Sequence, residues 1–428
     1  MIYIYTQENT PRLRYTLDVL FKTILLVDYQ IVDKQLFNEN IDSPRINYSD
    51  IEIANTIWIK PNSLLFEKDI KRQDIKSTFI NGVPYFYKTS EQADIKYDIL
   101  ASSFFMLTRY EEYLSFNPDK HGRFLAKESV AYKENFLLIP VVHLWAEKLK
   151  LEVIKAFPNY EFPVKTFSQI NTIDIDIAYM FKGKSFYRFF GGFLKALLSL
   201  DKQEIKARWR SLHKTKDPFD TYDTIQELQQ KSKAKILFFI QVGKYGEFDK
   251  NLALNKTMKS LITKLSGFAS IGIHPSYASN SSFDKLEKEH QDLSNVLGTR
   301  VTKSRQHYLK MSFPETYENL IKLGVTKDYT MGYPDYIGFR AGMATAFPFF
   351  NLETNTQRPL QITPFQVIEG ALKDYMALSP KEAKLLIGEI KKSIKEVDAT
   401  FVSIFHNSSL TDKGEWQGWL DVYEDVVL

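Results

Sequence analysis

The sequence predicts an α/β protein, with a largely parallel sheet closed or nearly closed into a barrel behind a smaller α/β unit at the N-terminus. Three observations predict it. The chain has 428 residues, more than one average domain holds. From about residue 222 onward, apolar runs of strand length alternate with helix-period patterns, as in repeated β/α units. Polar, chemistry-bearing residues fall where those strands end, the rim on which such folds build their sites.

Composition bounds the rest. A hydrophobic content of 44% and a charged content of 25% are those of a globular protein with sizeable cores. A net charge of +4, diluted over this length, argues against a nucleic-acid partner, which calls for a basic domain or stripe. The absence of cysteine excludes disulfides, thiolate metal sites and a cysteine nucleophile. Any metal must therefore be held by His, Asp or Glu, and there are seven His residues. The start reads directly as a strand, with Ile2 and Ile4 alternating with Tyr3 and Tyr5, and has no signal-peptide pattern. No apolar stretch reaches spanning length. A cytoplasmic location is expected, with no integral membrane segment.

Residues 1–163 are expected to form the N-terminal α/β domain. Strands are expected at 2–5 and 24–32, and a helix through Leu100, Phe104, Leu107 and Leu114. Glu111 and Glu112 follow Arg109-Tyr110 and read as a solvated face. His121 lies in a turn composition and His143 at an apolar helix start, and neither is assigned to chemistry. The segment Phe157-Pro158-Asn159-Tyr160-Glu161-Phe162-Pro163 has linker composition and marks the boundary.

Residues 164–428 form the second unit. Its first strand carries Thr172-Ile173-Asp174-Ile175-Asp176-Ile177. Strand alternation sends Asp174 and Asp176 to one face and the isoleucines to the other. A buried face with two carboxylates needs a cation, a metal or a shared proton, whereas a strand end facing water needs none. The hexapeptide alone leaves both readings open. Residues 183–213 are basic and aromatic, including Tyr187-Arg188-Phe189-Phe190 and Lys206-Ala207-Arg208-Trp209-Arg210. They read as a helical insertion beside the site or as a contact with a membrane surface or anionic glycolipid. Strands follow at 236–240 and 270–273, the latter ended by His274, then at 300–302, ended by Arg305-Gln306-His307-Tyr308. Pro314 opens a helix that Gly324 closes. A strand near Tyr329, the turn Gly338-Phe339-Arg340-Ala341-Gly342, a strand at 360–362 and a helix near Ala371 come next. Arg340 is read as pairing with a barrel carboxylate or binding a substrate anion. Ser379, Pro380 and Glu382 open the last long helix with a capping box. The strand 400–405 then ends at His406. Trp416 and Trp419 suit either a sugar-stacking wall or packing of the terminal helix.

Asp174, Asp176, His274, Arg305, His307 and His406 thus gather at strand ends, which fit one rim. His290 falls on the apolar face of its helix and reads as a hydrogen-bonded core or boundary histidine. In order and spacing, Thr172-Ile173-Asp174-Ile175-Asp176, Ile271-Gly272-Ile273-His274-Pro275-Ser276, Ser304-Arg305-Gln306-His307-Tyr308 and Phe405-His406 resemble the motifs of metal-dependent polysaccharide deacetylases. Phe238-Phe239 followed by Gly243 resembles that family's second strand. This resemblance to the NodB-homology carbohydrate esterases covers about residues 166–428. It implies a distorted (β/α)7-type barrel. The first unit resembles the uncharacterised N-terminal domain of one bacterial branch of such proteins.

The resemblance implies Asp174 as general base, Asp176 and His274 as metal ligands, Arg305 as the residue orienting the base, and His406 as general acid. It implies a divalent metal, with zinc expected and nickel or cobalt as alternatives. Two departures stand out. Ile175 separates an Asp pair that is adjacent in the family, and Ala278 stands where the family has a second His, four residues after the first. His307, where the family usually has proline, is the candidate for the missing ligand; the other reading is a substrate contact. The expected activity is removal of acetyl from an N-acetylated amino sugar or glycan precursor, so the expected partner is an acetylated carbohydrate. A barrel that has lost catalysis and binds glycan or protein, and a metal amidohydrolase acting on a non-sugar amide, are the alternatives.

Overall fold

The computed structural model describes residues 1–183 and 216–428. The basic and aromatic segment, read as an insertion or a membrane contact, lies outside the described residues apart from Gly183.

The first unit is built on a parallel four-stranded sheet. Its strands are β1 (Ile2–Thr6), β2 (Tyr29–Val32), β3 (Arg45–Tyr48) and β4 (Ile57–Trp58), in the order β2-β1-β3-β4. The first half of the strand expected at 24–32 is helical up to Leu25; Leu26, with φ of 57°, turns the chain into β2. A hairpin of β5 (Thr78–Ile80) and β6 (Val83–Tyr85) and the helices Ile99–Leu107 and Val141–Ala156 complete the unit. Asp98 caps the first of these helices by accepting from the backbone N–H groups of Leu100 and Ala101.

The second unit carries a nine-stranded sheet. Its strands are β7 (Ser168–Ile175), β8 (Lys235–Ile240), β9 (Ser270–Ile273), β10 (Lys303–Ser304), β11 (Lys327–Asp328), β12 (Phe347–Asn351), β13 (Thr356–Ile362), β14 (Val367–Ile368) and β15 (Thr400–His406). The order is β12-β13-β11-β10-β9-β8-β7-β15-β14, and every neighbouring pair is parallel except β12 with β13. The helix Pro380–Glu396 has the expected capping box at Ser379 and Glu382. The β12–β13 hairpin was not expected from sequence, because Phe347-Pro348-Phe349-Phe350 is apolar without alternation.

The sheet is strongly curled. Strands β7 and β10 are three positions apart, roughly 14 Å in a flat sheet. Yet Arg305, just after β10, donates from Nη1 to Asp174 Oδ1 of β7 at 2.8 Å. Tyr329, just after β11, packs its ring 5.2 Å from that of Phe239 on β8. Between the sheet's two ends, the Phe365 N–H donates to the Met331 carbonyl at 3.0 Å and the Gly338 N–H to Gln366 at 2.8 Å. The curl turns the ends of β7, β9, β10 and β15 toward one another.

The two units share a core. One continuous apolar cluster contains Ile4, Phe104 and Trp145 of the first unit and Phe347, Phe350 and Leu360 of the β12–β13 hairpin. The Phe339 N–H donates to the Leu137 carbonyl at 2.9 Å, and the Val142 N–H to Gly342 at 3.0 Å. Gly338, at φ of +125°, would place a Cβ 2.5 Å from the Leu137 oxygen, so only glycine admits this approach.

Beside that approach lies a buried charge network that sequence reasoning misread. Glu111 and Glu112 are not on a solvated face: their side chains are 10% and 4% exposed. Arg109 donates from Nε to Glu112 at 2.7 Å and from Nη2 to Glu111 at 2.7 Å, and also reaches the Arg340 carbonyl. Arg340 closes a two-point contact with Glu112, with Nε at 2.9 Å. Its partner therefore comes from the first unit, not from the second. Burial pushes the Glu112 carboxyl up, but Arg340 and Arg109 outweigh it and hold the group below its ordinary range. Glu112→Gln would leave Arg340 buried with no carboxylate, an arrangement that costs about 3–5 kcal/mol. Urea unfolding should show that loss in a single transition for both units; a change under about 1 kcal/mol would contradict it.

Candidate metal centre

The curl brings five of the six residues singled out from the sequence to one cavity, with Arg305 buried behind Asp174. Asp174 is the next-to-last residue of β7, with Asp176 just beyond its end; His274 follows β9, Arg305 and His307 follow β10, and His406 ends β15. Pairing of β15 with β7 sets His406 directly beside Asp174. The cavity holds about 280 Å³, and its wall includes Asp174, Asp176, His274, His307 and His406.

Asp176, His274 and His307 each offer a ligand atom, all within 4.8 Å of one another. His274 Nε2 lies 3.1 Å from Asp176 Oδ1, and His307 Nε2 lies 3.3 Å from Oδ2. Ligand atoms around a tetrahedral zinc with bonds of about 2.1 Å are roughly 3.4 Å apart, so the spacing suits such an ion. The hydrogen bonds support the same donor set. His274 Nδ1 faces the Arg305 carbonyl at 2.6 Å and His307 Nδ1 faces Asp249 Oδ1 at 3.0 Å. Both partners are acceptors, so the ring protons belong on Nδ1 and the Nε2 atoms point into the cavity as donors to a cation. Asp176 Oδ1 is buried without a hydrogen-bond partner. A divalent cation would satisfy it.

The electrostatics agree. Burial lowers the His307 pKa, yet the Asp176 and Asp249 carboxylates outweigh it and raise the group to about 9. Burial likewise raises Asp176, but His307 and His406 pull it well below the usual carboxylate range. The carboxylates that attract this proton would equally attract a divalent cation, which would have to displace the proton from the ring.

Asp174 and His406 flank this group. Asp174 Oδ1 takes the Arg305 Nη1 hydrogen bond, and its Oδ2 is 3.9 Å from His274 Nε2. The Arg305 guanidinium is fully buried, also donates to Thr172 Oγ1 at 2.6 Å and to the Tyr329 carbonyl at 3.0 Å, and lies over the Phe239 ring. His406 is partly exposed, with Nε2 3.5 Å from Asp176 Oδ2 and Nδ1 2.7 Å from Glu369 Oε1.

Two site residues escaped the sequence reading. Glu369 is wholly buried and follows Val367–Ile368, a strand of two residues. An acid directly after an apolar β-branched pair was the available signal. Asp249 lies in a long loop after β8 and carried no periodic signal. It gathers the Gln241 side chain at 2.7 Å, the backbone N–H groups of Tyr277 and Ala278 at 2.8 and 3.3 Å, and His307. The backbone of Ala278, where a second His was expected, is thus tied to the carboxylate that orients His307. His290 bonds the Val301 carbonyl at 2.7 Å, as expected of a core histidine. Trp419, the first residue of the terminal helix, is buried in the core, and Trp416 packs edge-on against it.

Cobalt titration followed by absorbance tests the donor set. His307→Ala should weaken binding as severely as Asp176→Ala, and Asp249→Asn by about 10–100-fold through loss of the ring's orienting partner. Wild-type affinity in His307→Ala would remove that residue from the ligands.

Comparison with known proteins adds little to this geometry. Residues 2–158 match a family described as a family of unknown function (DUF7033). No curated protein matches. Among solved structures, the chain is similar to one titled "Crystal structure of putative polysaccharide deacetylase from Mycobacterium smegmatis". The identity is 12% and the TM-score 0.40, over 63% of this chain and 86% of that one. At that similarity the likeness by itself assigns neither fold nor function.

Proposed function

We propose that the protein is a metal-dependent hydrolase that removes acetyl groups from an N-acetylated amino sugar or glycan, with the curled sheet as a distorted (β/α)7-type barrel. The observation that carries this reading is the convergence, in one cavity, of a three-donor cation site, a separate carboxylate and a separate carboxylate-backed imidazole.

Asp176, His274 and His307 would hold the metal. A divalent ion bound there lowers the pKa of a water and polarises an amide carbonyl. Asp174 acts as general base. Arg305 engages its Oδ1, so the proton is taken on Oδ2, the oxygen nearer His274. His406 acts as general acid toward the leaving amine. Burial depresses its pKa, but Glu369 and then Asp176 outweigh burial and raise it to about 10, so the ring carries a proton at neutral pH. Glu369 accepts from both Nδ1 and the backbone N–H of His406, fixing the ring with Nε2 toward the cavity. Asp174, paired with the Arg305 guanidinium, and His406, backed by Glu369, thus occupy the separate base and acid positions that amide hydrolysis requires.

Acetate release from N-acetylated oligosaccharides in the presence of zinc or cobalt tests the reading. Turnover should stop with a chelator and return with metal. Asp174→Asn should lower kcat by about 10²–10⁴-fold while keeping cobalt bound. Cleavage of simple acylamides without acetylated sugars would transfer the activity to non-sugar amides, and a protein that binds no metal would be a degenerate barrel.

A further inference from the structure

The first unit, matched only to a family of unknown function, reaches the cavity through one turn. Residues 119–123 fold around Asp119, whose Oδ1 accepts the backbone N–H groups of His121 and Arg123 at 2.9 and 2.8 Å. Asp119 Oδ2 accepts from Arg123 Nε at 2.9 Å, and Gly122 provides a positive φ of 79°. The turn is therefore rigid before it meets anything else.

Arg123, 6% exposed, forms part of the cavity wall. It uses its remaining donors on the second unit. Nη1 donates to the Tyr308 carbonyl at 3.0 Å, and Nη2 to the Tyr375 hydroxyl at 3.1 Å. Both targets matter for the site. Tyr308 directly follows His307 and adopts a left-handed conformation, φ of 60°, as does Leu309 at 53°. Two consecutive non-glycine residues in that region persist only where their surroundings fix them. Tyr375 lies six residues after Glu369, the partner of His406, and its side chain stands 56% exposed at the cavity mouth. The His121 ring packs 5.0 Å from that of Tyr308 and 5.5 Å from that of Phe248.

We propose that the first unit is the substrate-binding wall of the site, with Arg123 as the positioning residue that holds Tyr308 and Tyr375 against a multi-residue glycan. The inference rests on the deacetylation reading. A cavity of about 280 Å³ sits at the lower end of small-molecule sites, roughly 300 Å³. It suits one acetylated sugar, and the flanking sugars must lie on the rim that Arg123 organises. Aromatic faces such as Tyr375 suit the apolar faces of sugar rings, and only a fixed ring contributes without an ordering cost.

The test uses the full chain with cobalt and penta-N-acetylchitopentaose as probe. Arg123→Gln and Tyr375→Phe should each raise KM about tenfold, lower kcat less than threefold and keep wild-type cobalt stoichiometry. The double variant should be no worse than Arg123→Gln, because both changes break the same contact. A KM unchanged in both variants, a purely additive double variant, or a loss confined to kcat and cobalt binding would overturn the proposal alone. Wild-type protein that binds cobalt but releases no acetate from the probe would overturn the deacetylation reading and this proposal with it. Tyr375→Phe removes one hydroxyl from a largely exposed residue, so the test stands even where Arg123→Gln fails to fold.

Discussion

The guanidinium of Arg305 is the constraint on which the second unit depends. It lies wholly inside the curl, between the rings of Phe239 and Phe365, and bonds β7 from the far side of two intervening strands. A buried cation of this kind is tolerable only with a carboxylate against it, and Asp174 is that carboxylate. The pair does three things at once. It pins the curl, it fixes one oxygen of Asp174, and through the Arg305 carbonyl it sets the His274 ring. Stability and chemistry are thus coupled at Asp174, and a neutral replacement there disturbs both.

A second buried ionic group plays the matching part between the two units. Arg109 and Arg340 converge on Glu112 from opposite sides of the boundary, next to the glycine-enabled approach of the backbone at Leu137. Desolvated charges of this kind contribute little net stability, but they penalise every arrangement that separates them. Together with the shared apolar core, they fix the first unit where its 119–123 turn meets the cavity wall.

Much of the site was legible because its chemistry sits on strand ends, where an alternating apolar run stops at a polar residue. Asp174, His274 and His406 follow that rule. Arg305 and His307 were also read at a strand end, although the strand expected at 300–302 lies at Lys303–Ser304. What stayed hidden was whatever depends on pairing across the fold. Glu111 and Glu112 look solvent-facing in sequence, because their neutralising partner Arg340 is 228 residues away. Asp249 is an ordinary loop aspartate until four donors from distant segments converge on it. The antiparallel hairpin at β12 and β13 was missed because every residue of its apolar run at Phe347–Asn351 is buried and the run therefore shows no period.

Ala278 stands where the resemblance implied a second His, and the candidate donor set does not follow that one motif. A cation responds to three donor atoms at the right separation, whichever loops supply them. Moving a histidine from one strand end to the next is insufficient, since an unoriented ring can turn its Nε2 away. Asp249 removes that freedom. It bonds His307 Nδ1 and, with its other contacts, ties down the 277–278 backbone. One carboxylate thereby fixes both the Ala278 backbone and the ring proposed as the third donor. In that proposal His307 and Asp249 act as a pair, of which the sequence displayed only the first.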